Sequence, residues 1–122
     1  MAATLYERLG GEEAVSAAVD IFYKKVIGDG RINSFFVDVD MAKQNRKMKS
    51  FLSYAFGANT PFSGKTMREG HAHLVRDGLN DGHFDAVKEH LQATLSELGV
   101  SVDMIEEVLG ITESTRDDVL NK

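Results

Sequence analysis

With no cysteine in the sequence, any metal must be held by His, Met, Lys, Tyr or carboxylate, and the histidines are four: His71, His73, His83 and His90. Without thiols there are no disulfides, zinc knuckles, iron–sulfur clusters or thiolate-held haem. A zinc site on one helix asks for two histidines three or four residues apart, on a shared face. His71 and His73 are two apart, so on a helix they point about 200° from each other and cannot readily share a metal. What remains is single-histidine chemistry. One neutral imidazole in an apolar pocket is the usual protein contribution to a haem iron. His71 is the best placed for it. Met67 and Val75 lie one turn to either side and Leu74 three residues on, and apolar neighbours keep an imidazole neutral. Arg68 and Arg76 place cations nearby, which suits propionates. Gly70 permits close backbone approach, at about 1 kcal/mol of helix propensity relative to alanine. A half-buried structural histidine fits the same local pattern, and this stretch alone leaves both readings open.

Two further positions carry polar chemistry on apolar faces. Gln44, Lys47, Met48 and Phe51 recur at i, i+3, i+4 and i+7, so they share one side of a helix. A buried Gln44 would need a hydrogen-bond partner. The plainer alternative puts Met48, Phe51 and Leu52 in the core, with Gln44 and Lys47 at its wet margin. Tyr23 falls within an apolar stripe, one turn after Val19 and one before Ile27. A phenol buried there needs something to bond, either a backbone carbonyl or a ligand in a cavity.

The elements that must position these residues follow from the apolar spacing. Leu5, Tyr6 and Leu9 line a short first helix that ends at Gly10-Gly11. A second helix is expected from about Glu12 to Ile27, with Val15, Ala18, Val19, Phe22, Tyr23 and Val26 on one face. Gly28-Asp29-Gly30 stops it. Ile32 to Val39 reads as a turn-rich connector holding Phe35-Phe36. Asp40 is a plausible N-cap for a third helix over about Met41 to Phe56. Gly57 to Lys65, with the only proline, Pro61, reads as a loop. Thr66 to Arg76 is a short helix carrying His71. After a break over Gly78 to Gly82, His83 to Leu98 is strongly periodic, with Phe84, Val87, Leu91 and Leu95 on its stripe. Ser101 to about Leu120 makes the last helix, weakened at Gly110. No stretch alternates like a strand. The fold class is all-α, built by helix-on-helix packing.

Composition narrows the function. The chain has 122 residues, room for one domain over 1–122 and a single core. Fourteen Lys and Arg against nineteen Asp and Glu give a net charge of −5, which argues against nucleic-acid or anionic-membrane partners. No apolar run approaches the roughly 20 residues that span a bilayer. The start, Met1-Ala2-Ala3-Thr4-Leu5, has no signal-like pattern. The expected location is the cytoplasm.

Taken in order, the segments resemble the truncated haemoglobins, the 2-on-2 globins, and most of all the group I members of cyanobacteria and green algae. The resemblance begins at Leu5-Tyr6-Glu7-Arg8-Leu9-Gly10-Gly11 and continues through Ala18-Val19-Asp20-Ile21-Phe22-Tyr23. It runs on over Phe35 to Gln44, Phe51 to Gly57 and Met67-Arg68-Glu69-Gly70-His71 with Leu74-Val75. Gly82 to Val87 and Arg116-Asp117-Asp118-Val119-Leu120-Asn121 complete it.

The resemblance implies a globin shortened to two helical pairs, a two-over-two helical sandwich around haem b. By position His71 is then the proximal iron ligand. Tyr23 is the distal donor to a bound diatomic gas, supported by Gln44 and bordered by Met48. Phe36 wedges the haem with Phe35 beside it, and Lys47 reaches a propionate, with Arg68 a second candidate. Phe51, Met67, Leu79, Phe84 and Val87 complete the lining. The implied function is reversible binding of dioxygen and of other diatomic gases such as nitric oxide and carbon monoxide, in a monomer.

Two alternatives use the same pocket. One is nitric oxide dioxygenation with an external electron-donating reductase. The other is a six-coordinate haem for electron transfer, in which Lys47 as a neutral amine would take the sixth position. The sequence departs from its relatives where Met48 replaces a second polar residue. It departs again at Thr115, near which some cyanobacterial members carry a histidine that links covalently to a haem vinyl. Non-covalent haem is therefore expected.

Overall fold

The amphipathic stretches become helices close to where their spacing puts them. A computed structural model describes residues 4–57 and 64–122, with side chains described outside 64–67. The helices are α1 (Leu5–Leu9), α2 (Gly11–Ile27), α3 (Met41–Ala55), α4 (Gly64–Arg76), α5 (Asp81–Glu97), α6 (Val102–Glu113) and α7 (Arg116–Leu120). A 3₁₀ helix at Asn33–Phe36 joins α2 to α3. No strand occurs among the described residues, and the all-α reading holds. Most of the expected loop around Pro61, and the Met67 side chain, lie outside the described residues.

Capping sets the corners. Thr4 accepts from the Glu7 N–H at 3.1 Å and Asp40 from the Lys43 N–H at 3.2 Å, which satisfies otherwise orphaned donors at each helix start. Gly10 ends α1 and precedes α2 at φ +115°. A Cβ there would lie 3.3 Å from that of Ala14, so only glycine makes this sharp turn without strain.

Three boundaries differ from the sequence reading by two residues or more. Helix α4, expected from Thr66, begins at Gly64, inside the stretch read as loop. The helix expected at His83 begins at Asp81. Asn80 accepts from the N–H groups of Gly82 and His83, while His83 Nδ1 accepts from the Asn80 N–H at 3.1 Å. This reciprocal cap stabilises the first turn in spite of Gly82. The single last helix is in fact two, and it breaks at Ser114-Thr115 rather than at Gly110. Thr112, Ser114 and Thr115 each donate a hydroxyl hydrogen bond to a carbonyl three or four residues back. Such local bonds compete with the helical ladder.

The core is organised on α2, whose Val15, Ala18, Val19, Phe22, Tyr23 and Val26 are all buried. Helices α1, α3 and α5 pack on it, and α5 pairs in turn with α6. Leu52 and Phe56 from the α3 end, Leu91 and Leu95 from α5, and Val108 from α6 are sealed from solvent. Each such side chain contributes roughly 1.5–3 kcal/mol of transfer free energy. Helix α4 stands apart. Its main neighbour is α7, and it is not among the principal partners of α2, α3 or α5. No described helix is long and apolar enough to cross a membrane.

A polar tie holds the turn after α2 to α5. The Asp29 carboxylate, 12% exposed, lies 2.7 Å from His90 Nε2 and takes Arg31 Nη2 at 2.7 Å. The Arg31 side chain, the Arg31 backbone N–H and His90 hold the Asp29 carboxyl well below the usual carboxylate range. A carboxyl depressed in the folded state stabilises the fold at pH values above its unfolded value of about 3.9, and less as the pH falls further. Asp29→Asn is therefore expected to lower the melting temperature at neutral pH. In thermal melts followed by circular dichroism, the gap to the parent should narrow steadily as the pH is lowered below about 4. A gap that does not change with pH would count against this role.

Candidate functional site

The polar centre of the molecule is where α2 meets α3. Tyr23, on the buried stripe of α2, is 6% exposed. Its hydroxyl oxygen accepts a hydrogen bond from Gln44 Nε2 at 3.1 Å. Burial pushes the Tyr23 phenol above its ordinary value, and the Gln44 bond opposes that only in part. The group is thus a neutral phenol at physiological pH. Because its oxygen accepts from Gln44, its own proton remains to be donated to a second group. The ring of Phe36 meets Tyr23 edge-on at 5.9 Å and that of Phe22 at 5.0 Å, so the phenol is held by aromatic packing on two sides.

Around this centre the apolar side chains are half-buried rather than sealed. Phe35, Phe36, Met41, Met48 and Val87 all pack against the core yet keep part of their surface open. On α4, His71, Leu74 and Val75 share one face and are half-buried too, while Glu69, His73 and Arg76 are exposed. Leu79, just beyond α4, is half-buried as well. These half-buried apolar side chains on α3, α4 and α5, together with an α4 that is not a principal packing partner of α2 or α3, are surface available to a bound apolar group. The donor set fits a flat, mostly apolar group with one metal position, which is the chemistry of haem.

The predicted residues do not all behave alike. Tyr23, Gln44 and Phe36 are brought into direct contact. Phe51 is buried and Met48 half-buried on the same side of α3. Lys47 is exposed on the α3 surface, the placement of a cation at a solvent edge. Phe35 packs edge-on against His83 at 5.0 Å, and Phe84 is buried beneath the Arg116 guanidinium, 4.5 Å from its ring centre. Arg68, the second propionate candidate, has its guanidinium on the C-terminal segment, donating to the Lys122 main-chain oxygen at 2.8 Å and pairing with Asp118 at 3.3 Å.

Sequence reasoning passed over Asn121, Arg116 and the Asp29–His90 pair. Asn121 donates to the Arg68 carbonyl, and Arg116 reaches Asp81, Asp85 and Glu113. These partners lie far apart in the chain, except Glu113, and no local spacing announces them. The His83 cap was the one such feature with a visible signal, the three-residue spacing from Asn80.

An all-helical fold with the Tyr23–Gln44 pair buried where α2 meets α3 is the arrangement of a shortened globin. The chain belongs to the bacterial-like globin family, which it matches over residues 4–121. It is 53% identical to a group 1 truncated haemoglobin of Synechocystis sp., covering 98% of each chain. Among solved structures it is similar to the 2/2 haemoglobin of Synechococcus sp. in its cyanomet state with covalently attached haem. The TM-score there is 0.94 at 52% identity, over 98% of this chain and 100% of that one. The truncated haemoglobin of Tetrahymena pyriformis in its Fe(III) form superposes with a TM-score of 0.88 at 44% identity, over 98% and 100% of the two chains. The two-over-two globin fold expected from the sequence is thereby shown, and family membership implies haem-based ligand binding.

The phenol geometry has a direct spectroscopic consequence. With tyrosine ¹³Cζ labels, the Tyr23 resonance is expected to titrate above the reference phenol value of about 10. Gln44→Ala should raise it further, because the donor that favours the phenolate is lost. A Tyr23 titration that does not move in Gln44→Ala would count against the hydrogen bond.

Proposed function

We propose that this chain holds haem b non-covalently through His71 and uses it to bind dioxygen reversibly, along with nitric oxide and carbon monoxide. The observation that carries this reading is the buried neutral Tyr23 phenol, engaged by Gln44 as acceptor and therefore oriented to donate. When bound, haem would supply an iron able to take a diatomic gas.

The protein's own part is positional and electrostatic. His71, on the half-buried face of α4, is the residue that would hold the group through an imidazole nitrogen. Tyr23 presents its O–H to a ligand that carries partial negative charge at its outer atom. Gln44 fixes the direction of that O–H by donating to the phenol oxygen. Phe36 restricts the Tyr23 ring, and Met48, a thioether with no proton to donate, leaves Tyr23 and Gln44 as the polar part of the pocket. The exposed Lys47 amine suits a haem carboxylate at the solvent edge better than a sixth iron ligand, since a sixth ligand must be buried and uncharged. Non-covalent retention is supported at Thr115. Its hydroxyl donates to the Thr112 carbonyl at 2.7 Å, and an alcohol so engaged is no equivalent of a reactive imidazole.

The magnitude of the distal bond decides what to measure. A hydrogen bond to a charged group is worth roughly 1.5–3 kcal/mol, or about tenfold to a hundredfold in equilibrium. Tyr23→Phe is expected to accelerate dioxygen dissociation by about that factor in stopped-flow displacement. An unchanged rate would show that the phenol bonds elsewhere. His71→Ala is expected to abolish tight haem retention, read as loss of the Soret band on gel filtration of the reconstituted protein. Normal retention would overturn the assignment of the proximal ligand.

A further inference from the structure

We propose that Asn121 and Arg68 form a strut through which the C-terminal helix α7 sets the position of His71. The inference rests on the haem reading above, because it concerns the ligand side of that site.

Helix α4 carries His71 but does not pack extensively on α2, α3 or α5, and its main neighbour is the five-residue α7. The contact between them is reciprocal and polar. Asn121 Nδ2 donates to the Arg68 carbonyl at 3.0 Å. The Arg68 guanidinium donates back to the Lys122 main-chain oxygen at 2.8 Å and pairs with Asp118 at 3.3 Å. Arg68 lies three residues before His71, so the tied carbonyl and the imidazole sit one turn apart on neighbouring parts of the helix surface.

The other end of α7 is anchored to the body of the protein. Arg116 pairs with Asp81 and Asp85 of α5 at 3.0 and 2.5 Å and lies over the Phe84 ring. Lys122 pairs with Asp81, and Leu120 is buried. A continuous path of contacts therefore runs from α5 through α7 to the turn of α4 that precedes the proximal histidine.

The backbone of Asn121 adds an independent observation. It is the only non-glycine residue with positive φ among those described, at φ 58° and ψ 41°. Glycine would end α7 in this conformation with less strain. Asparagine accepts the left-handed region and adds an amide donor, which bonds the Arg68 carbonyl of α4 at 3.0 Å and, at the longer distance of 3.4 Å, the Asp118 carbonyl of its own helix. The side chain thus does something that closing the helix does not require.

Two substitutions separate the amide from the turn. Asn121→Gly keeps the left-handed backbone and removes the donor. Asn121→Asp keeps the shape, but its carboxylate cannot donate to a carbonyl. Both are compared with the parent as haem-reconstituted protein. One readout is the iron–histidine stretching band of the ferrous unliganded form by resonance Raman. The second is haem transfer to excess apomyoglobin. The third is the C–O stretch of the carbon monoxide complex. Both variants are expected to shift or broaden the iron–histidine band and to speed haem loss by about two- to tenfold, the factor for one ordinary hydrogen bond. The C–O stretch should stay at the parent frequency, because Tyr23 and Gln44 sit on α2 and α3. Arg68→Lys, which keeps the charge but loses the guanidinium whose Nη2 reaches both Lys122 and Asp118, should give a smaller change of the same kind, and it decides the matter if the Asn121 variants do not fold. An unchanged iron–histidine band, or equal disturbance of the proximal and distal bands, would overturn the strut. A parent protein that shows no Soret band with haem would instead overturn the haem reading itself.

Discussion

The burial of one helix face organises this molecule. Helix α2 presents a continuous apolar stripe, and α1, α3 and α5 are arranged by the need to cover it. Polar groups inside such a stripe are expensive unless bonded, so the one phenol it contains constrains what may lie opposite. Tyr23 meets an amide from α3. That contact uses the acceptor side of the hydroxyl and leaves its donor side, the feature on which the proposed function rests.

The opposite wall obeys a different rule. Helix α4 is positioned from outside, by α7, rather than by the core. A protein that surrounds a large flat cofactor must keep two of its faces from collapsing onto each other. Packing alone favours collapse, since an apolar gap loses both burial and dispersion. Here α4 is tied to a peripheral helix that is itself clamped to α5 by Arg116, and on the proposed reading the cofactor would complete the apolar burial, so its binding should add to the stability of the folded state.

How legible this was depends on the range of the interactions. The α2 stripe, the Asp40 cap, the glycine stops and the shared face of Gln44, Met48 and Phe51 are local patterns with a fixed period, and they read correctly to within a residue or two. The start of α5 was two residues off, because a side-chain cap at Asn80 overcame the breaking tendency of Gly82. The last helix was read through its real break, because Gly110 is a weak signal in isolation while three successive hydroxyls compete with the ladder only in their actual geometry.

By itself the sequence determined the helical class, the lone imidazole on an apolar face and the order of segments that marks a shortened globin. Each of these depends on residue type and on spacings of three, four or seven. Tertiary structure decided which polar groups meet. It set Gln44 on Tyr23, placed the Arg68 guanidinium on the C-terminal segment, and joined Asn121 to the helix that bears His71. The physical reason is that a hydrogen bond depends on distances of about 3 Å and on direction, and residues 21 or 53 positions apart have no such relation until the helices pack.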